Sequence, residues 1–459
     1  MIALNKFICV VFALLLLMAC KQKGYLDDCF CDADVHYENN RIVEGYSEKP
    51  SYFPAESVNL YIHAQSPMVE IALVHHNIAE DTVARYQINN AETQKINECG
   101  YKLGYNWNKS FSFDLPGELN SGYYSIDLNV GDTSFRIPII IQPASKSGDI
   151  LVIASYNTWQ AYNIAGGASF YRYNLKHDCD QTLSSFVHFH RPLYTFRNMP
   201  YQKGGFEGEL NLTHWLEKEN INFDVIADPD FHHQSIDPKA YPYLVIHCHG
   251  EYWSEKMYDQ LEDYLNNGGN LLYLSGNGIY WKVTYDETGR QMECVKYATH
   301  KNVHRHDESA GGTWRNIGRP ESAILGTQYT PAGAGTYSPF MVVNPEHWLF
   351  DGIAVKKGDL FGESMHGEWA SGDETDKITQ YSPENIVLLA EGLNKQRLTQ
   401  LGDEEADKNG GAYLTYYDHP GGGFVFSGSS ITFTGGLLKD TVIPKMVLNA
   451  LNHKKNTQR

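Results

Sequence analysis

Hydrophobic positions follow three different patterns along the chain. Behind Lys6, the residues from Phe7 to Met18 are apolar without a break. That run is shorter than the roughly 20 residues a membrane-spanning helix needs. It closes on Leu17-Met18-Ala19-Cys20, the form of a bacterial lipobox, so residues 1–20 read as a lipoprotein signal with Cys20 as the lipidated residue. From Arg41 to Gln142, after a tether over 21–40, apolar and polar residues alternate. Val58, Leu60, Ile62 and Ala64 share one face, as do Tyr124, Ile126, Leu128 and Val130, and Phe135, Ile137, Ile139 and Ile141. Pro116-Gly117, Asn120-Ser121-Gly122 and Gly131-Asp132 punctuate the alternation. This predicts an immunoglobulin-like β-sandwich over 41–142, with Pro143 to Gly148 as a linker.

The third pattern begins at Asp149. Ile150–Ala154, Leu244–Ile246 and Leu271–Leu274 are continuous apolar runs, the mark of strands buried on both faces. Between the last two, Met257, Leu261, Tyr264 and Leu265 share one helical face, with Ser254 to cap the start and Gly268-Gly269 to stop the end. A βαβ unit follows, and with it an α/β domain over 149–455 built on a mainly parallel sheet. Ile386–Ala390, Phe424–Ser427 and a helix near Pro444–Leu451 return to its core, while the Gly-rich stretch 282–385 reads as an irregular insertion over the site. Ligands of such sheets bind beyond the carboxyl ends of the strands. Three blocks fall there: Ser155-Tyr156-Asn157, His247 to Trp253, and Ser275 to Trp281.

Composition narrows the function. The 459 residues carry a net charge of −18, which argues against nucleic acid or anionic lipid as the main partner. A hydrophobic fraction of 42% with 20% charged residues describes a globular protein. Besides Cys9 and Cys20, cysteines stand at 29, 31, 99, 179, 248 and 294, and spacing alone does not give their pairing.

The stretch richest in candidate chemistry carries Tyr162-Asn163 and Gly166-Gly167-Ala168-Ser169-Phe170-Tyr171, two phenols on a loop leaving a buried strand. His249-Gly250-Glu251-Tyr252-Trp253 leaves another. With these, His188-Phe189-His190-Arg191-Pro192, Gly276-Asn277-Gly278, Gly312-x-Trp314-Arg315, Gly372-x-Glu374-x-Asp376 and Gly421-Gly422-Gly423 form an ordered series. From about 150 to 450 it resembles the catalytic domain of the N,N-dimethylformamidase family, carried on the large (beta) subunit. The resemblance implies a metal-dependent hydrolase of the C–N bond of a small amide, with a mononuclear ferric iron held by Tyr162, Tyr171 and Glu251. It implies a separate small subunit as well; a homo-oligomer is the other arrangement considered.

Physical chemistry supports such a ligand set. Ionising two tyrosines at pH 7 costs about 8 kcal/mol, and hard trivalent iron suits three anionic oxygens. His249 and Glu374 are the candidate catalytic groups, and Asn163, Trp253 and Asn277 the candidate lining of the substrate pocket.

Cys248-His249-Gly250 imitates an amidotransferase nucleophile elbow, but a strained turn among bulky residues is disfavoured, so Cys248 reads as an inert buried thiol. His247 with His249 lacks a third zinc ligand. His300, His304 and His306 read as solvated loop residues. Trp253, Trp281 and Trp314 as an exposed groove would support a non-catalytic glycan-binding lipoprotein.

The lipobox places the chain in the cell envelope, periplasmic or facing the outer membrane. We expect mass spectrometry of membrane fractions to find a mature chain beginning at acylated Cys20; an intact Met1 there excludes this.

Overall fold

The computed structural model describes residues 41–96, 99–171, 185–194, 205–296, 303–365, 368–394 and 410–453. The signal with Cys20, the tether, Cys29, Cys31, Cys179 and His300 lie outside them. The described residues from Val43 onward form one compact unit. Among the described residues no helix is long and apolar enough to cross a membrane.

The alternating stretch forms eight strands: β1 (Val43–Ser47), β2 (Ser51–Tyr52), β3 (Ser57–Ala64), β4 (Val69–His75), β5 (Asp81–Ile88), β6 (Phe111–Asp114), β7 (Gly122–Val130) and β8 (Thr133–Ile141). They make two sheets, β1-β3-β6 and β2-β8-β7-β4-β5. One apolar core joins them, with Val58, Leu60 and Ile62 of β3 packed among Ile71, Leu73, Ile126 and Ile139 of the other sheet. The period-two alternation of β3 has this cause: the strand turns every second side chain inward.

The next stretch alternates strands and helices: β9 (Ile150–Ala154), α1 (Tyr156–Tyr162), β10 (Phe186–His188), α2 (Phe206–Lys218), β11 (Phe223–Ala227), α3 (Asp228–His233), β12 (Tyr243–Cys248), β13 (Tyr252–Ser254), α4 (Glu255–Asn266), β14 (Asn270–Ser275), β15 (Trp281–Tyr285) and β16 (Gln291–Cys294). Ser254 Oγ accepts from the Met257 amide at 3.3 Å, capping α4. Then come β17 (Gln328–Thr330), β18 (Tyr337–Ser338), β19 (Phe340–Val342), β20 (Leu360–Phe361), β21 (Ser371–Gly372), β22 (Thr375–Lys377), β23 (Val387–Gly392), β24 (Tyr413–Asp418), β25 (Phe424–Ser427) and α5 (Ile443–Asn452).

A nine-stranded sheet runs β11-β9-β12-β14-β25-β24-β23-β19-β20. Its first five strands are parallel and the rest antiparallel, so the sheet is mixed. The 282–385 stretch is more ordered than its composition implies. It supplies all or part of three further small sheets, β10-β16-β15-β13, β17-β22 and β18-β21, because short pairings satisfy backbone groups that a covering loop would otherwise bury unpaired.

Left-handed backbone gathers where β12 and β14 end, at Cys248 (φ 59), Asn277 (φ 49) and Ile279 (φ 50), with Asp373 (φ 66) facing them. Gly276 lies within this turn. A Cβ added to it would stand 2.3 Å from the Glu374 carbonyl and 2.6 Å from the Ile431 amide nitrogen, both backbone atoms with little room to yield. We expect Gly276→Ala to cost about 1–3 kcal/mol, as overpacking does, read as a lowered urea midpoint at unchanged m-value.

Candidate functional site

One proposed ligand follows a strand end, and two come from the end of a helix and the turn beyond it. Glu251 is three residues beyond β12 and just ahead of β13; its amide donates to Thr158 Oγ1 of α1 at 3.1 Å. Tyr162 is the last residue of α1, a short helix where the sequence reading expects a loop. The helix starts two residues after β9, with the Trp159 amide donating to the Ser155 carbonyl. Tyr171 lies beyond the turn that follows α1.

The three side chains converge. Tyr162 Oη donates to Glu251 Oε2 at 3.0 Å, and Tyr171 Oη donates to Oε1 at 2.6 Å. Their rings stack with centroids 4.3 Å apart. Tyr252 Oη donates to Tyr171 Oη at 2.7 Å, a partner that sequence reasoning missed. His249 Nε2 lies 3.1 Å from Glu251 Oε2 and 3.6 Å from Glu374 Oε2, while its Nδ1 is 3.2 Å from the Gly276 carbonyl. Asn277 Nδ2 donates to Glu374 Oε2 at 2.9 Å, and its buried Oδ1 has no partner among the described residues.

Burial sets the protonation of this cluster, and charge opposes it at two positions. Burial, followed by the Glu251 charge, raises both phenols well above 10. Burial pushes Glu374 up to about 7. At His249 burial acts downward, but the hydrogen bond to Glu251 and the charges of Glu251 and Glu374 prevail, raising it to about 9. At Glu251 burial acts upward and is overcome by the hydrogen bond and charge of His249, so the carboxyl stays below its usual range. Lys296 is a further residue with no signal in the sequence: its Nζ stands 3.1 Å from the Tyr171 ring centroid, buried without a hydrogen-bond partner among the described residues, and burial pulls it down to about 8.

The donor set suits a hard cation. Two phenol oxygens that now each hold a proton against the two oxygens of one carboxylate are the chemistry such an ion selects.

Several expected roles change. Asn163 and Trp253, expected to line a pocket, are fully buried. Asn163 braces its own loop, donating to the Pro192 carbonyl at 2.9 Å and accepting from the Ala165 and Tyr194 amides at 3.2 Å. Trp253 packs on Phe231. Trp314 is fully buried as well, so Trp253, Trp281 and Trp314 form no exposed groove. His247 faces away from His249, with Nε2 at 3.0 Å from Tyr123 Oη. His304 is buried and His306 half-buried against Glu293, not solvated. Cys248 does adopt the left-handed turn thought disfavoured; its inertness comes from burial, which raises the thiol well above 9.

Arg191 explains how the phenols are held. Its buried guanidinium donates to the carbonyls of Gln160, Asn163, Ala165, Ala168 and His188 at 2.7–3.2 Å. The turn between Tyr162 and Tyr171 is thereby folded around one cation. No sequence spacing reveals this role, since carbonyl acceptors belong to every residue type.

A family model described as "N,N-dimethylformamidase beta subunit-like, C-terminal" matches residues 74–445. The N,N-dimethylformamidase beta subunit of Paracoccus aminophilus is 26% identical over 414 residues, covering 75% of this chain and 54% of that protein. The beta subunit from an Alcaligenes species is 26% identical over 416 residues with the same coverage. The chain thus spans about half the length of these curated relatives. Among solved structures, a β-D-glucuronidase of Dictyoglomus thermophilum aligns over 59% of this chain and 32% of its own at 8% identity, with a TM-score of 0.13, a likeness that says nothing about this fold.

Lysine cannot reproduce the fork of a guanidinium. We expect Arg191→Lys to lower stability by about 2–4 kcal/mol in chemical denaturation, because several buried carbonyls lose a charged donor.

Proposed function

Because the chain belongs to the N,N-dimethylformamidase beta subunit-like C-terminal family, we propose that it hydrolyses the C–N bond of a small amide. The observation that carries this reading is the convergence of Tyr162, Tyr171 and Glu251 beside His249 and Glu374. Tyr162, Tyr171 and Glu251 would hold a ferric ion, which when bound polarises an amide carbonyl and acidifies water.

The remaining work falls to the chain's own residues. Glu374, raised by burial to about 7, is matched to taking a proton from water and returning it to the leaving amine. Asn277 fixes the Glu374 carboxylate by its amide, and His249 Nε2 supplies a cationic donor between the two carboxylates.

Three further assignments belong to the same reading. The order β1-β3-β6 over β2-β8-β7-β4-β5, with β2 parallel to β8, supports an immunoglobulin-like sandwich. The left-handed Cys248 after β12 supports an amidotransferase-like origin for the parallel strands. The relatives' designation as beta subunits supports a second, separate subunit, and the lipobox supports an anchor to the envelope through Cys20.

We expect the purified protein to carry about one iron and to absorb visible light. Tyr162→Phe and Tyr171→Phe lose iron and colour, whereas Tyr285→Phe keeps both. Glu374→Gln retains iron but lowers amine release from N-substituted formamides by about 10²–10⁴-fold in kcat. Full iron content in Glu251→Gln, by elemental analysis, refutes the ligand set.

A further inference from the structure

Two half-buried tyrosines, Tyr280 and Tyr329, meet Glu251 and Asp376 along the backbone, and among the described residues their hydroxyls join no hydrogen bond. Tyr280 leads into β15, and its amide donates to the Glu251 carbonyl at 2.9 Å. Tyr329 lies in β17 directly opposite Asp376 of β22, so both side chains leave the same face of that pair. Asp376 accepts from Tyr273 Oη at 2.6 Å and from the Asn277 amide at 2.8 Å, which identifies this face as the one turned to the site. The two tyrosine rings meet edge to face with centroids 5.5 Å apart.

One cation holds both. The Arg315 guanidinium lies 5.1 Å from the Tyr280 ring centroid and donates to the Tyr329 carbonyl at 3.1 Å, while Glu321 pairs with it from behind. The wall is therefore preorganised. Burial, and after it the Glu374 charge, raises the Tyr329 phenol well above 10.

Tyr162, Tyr171, Tyr252 and Tyr273 all donate hydrogen bonds within the protein. The Tyr280 and Tyr329 hydroxyls make none with the described residues, and neither is sealed from solvent. Water can satisfy them while the pocket is empty. A purely alkyl substituent laid against these rings would desolvate both hydroxyls and return nothing. A substituent with its own hydroxyl would restore the lost bonds. Sites built to hydrogen-bond a substrate group discriminate strongly against analogues that lack it.

We propose that Tyr280 and Tyr329 form the selective wall of the pocket, and that the amide taken here bears a hydroxyl or similar polar group beyond its C–N bond. This specificity rests on the amide-hydrolase reading of the same site.

The test compares N-(2-hydroxyethyl)formamide with N-propylformamide, probes of nearly equal size that differ in a terminal hydroxyl, on the full chain loaded with iron. The wild type should favour the hydroxylated probe about tenfold in kcat/KM, most of it in KM, with a matching ratio in calorimetric binding. Tyr329→Phe should bring that ratio to within about twofold, and Tyr280→Phe should lower it in part. Both variants keep the ring, and unchanged iron content and melting temperature verify that the fold survives. A wild type without preference overturns the proposal, as does a preference untouched in the double variant or no binding of the hydroxylated probe at millimolar concentration. If neither probe is hydrolysed but the binding ratio behaves as described, the hydrolase reading falls and the selective wall stands. Equal hydrolysis of both probes does the reverse.

Discussion

A carboxylate taken out of water must be given donors or a counter-charge, and Glu251 is the place where this protein meets that demand most severely. Its two oxygens receive the hydroxyls of Tyr162 and Tyr171, and His249 stands against it as the nearest cation. An unpaired charge at this depth would cost several kcal/mol. The elements around it are consequently committed to delivering partners. Helix α1 presents Tyr162 and the Thr158 hydroxyl, and Arg191 gathers the turn that brings Tyr171 back. Asn277 steadies the neighbouring Glu374.

The backbone around this centre is strained. Cys248, Asn277, Ile279 and Asp373 occupy left-handed conformations, and only the asparagine and the aspartate are types that tolerate them readily. Such positions cost on the order of 1–3 kcal/mol each and persist where packing over-determines them. At Ile279 the packing is plain: the side chain is fully buried among Tyr273, Trp314 and Leu325, and its amide donates to the Gly250 carbonyl at 2.8 Å. The strain turns the chain sharply at the ends of β12 and β14, so that His249, Glu251 and Asn277 leave two adjacent strands toward one point.

Much of this was legible in sequence for definite reasons. Period-two alternation identified a strand such as β3 because one of its faces meets a core, and continuous apolar runs identified β9, β12 and β14 because both of theirs do. Tyr162, Tyr171, His249, Glu251 and Glu374 were singled out from residue type, strand ends and family motifs, and the fold brings them together. Less visible were groups whose role depends on long-range geometry. Lys296 lies 125 residues beyond Tyr171 in the chain yet covers its ring. Asn163 and Trp253 looked like pocket residues because their neighbours are, but adjacent side chains on a strand or turn point to different surroundings. His304 sits in a polar stretch that suggested solvent, and folding closed a small strand bridge over it.

The chain passes from the nine-stranded sheet to the four-stranded one between Cys248 and Tyr252, with Glu251 at the crossing. Tyr280 and Lys296 stand just outside the ends of β15 and β16 in the smaller sheet, whereas His249 and Asn277 issue from the larger. The pocket thus has separate foundations for its chemistry and for part of its shape. Substitutions in the small sheet, around Val283 or Met292, reach Tyr280 first and Glu251 only through its carbonyl, which the Tyr280 and Trp281 amides hold. On the proposed reading, variation in substrate would collect in the smaller sheet, and the groups that handle protons would stay with the strand ends of the larger.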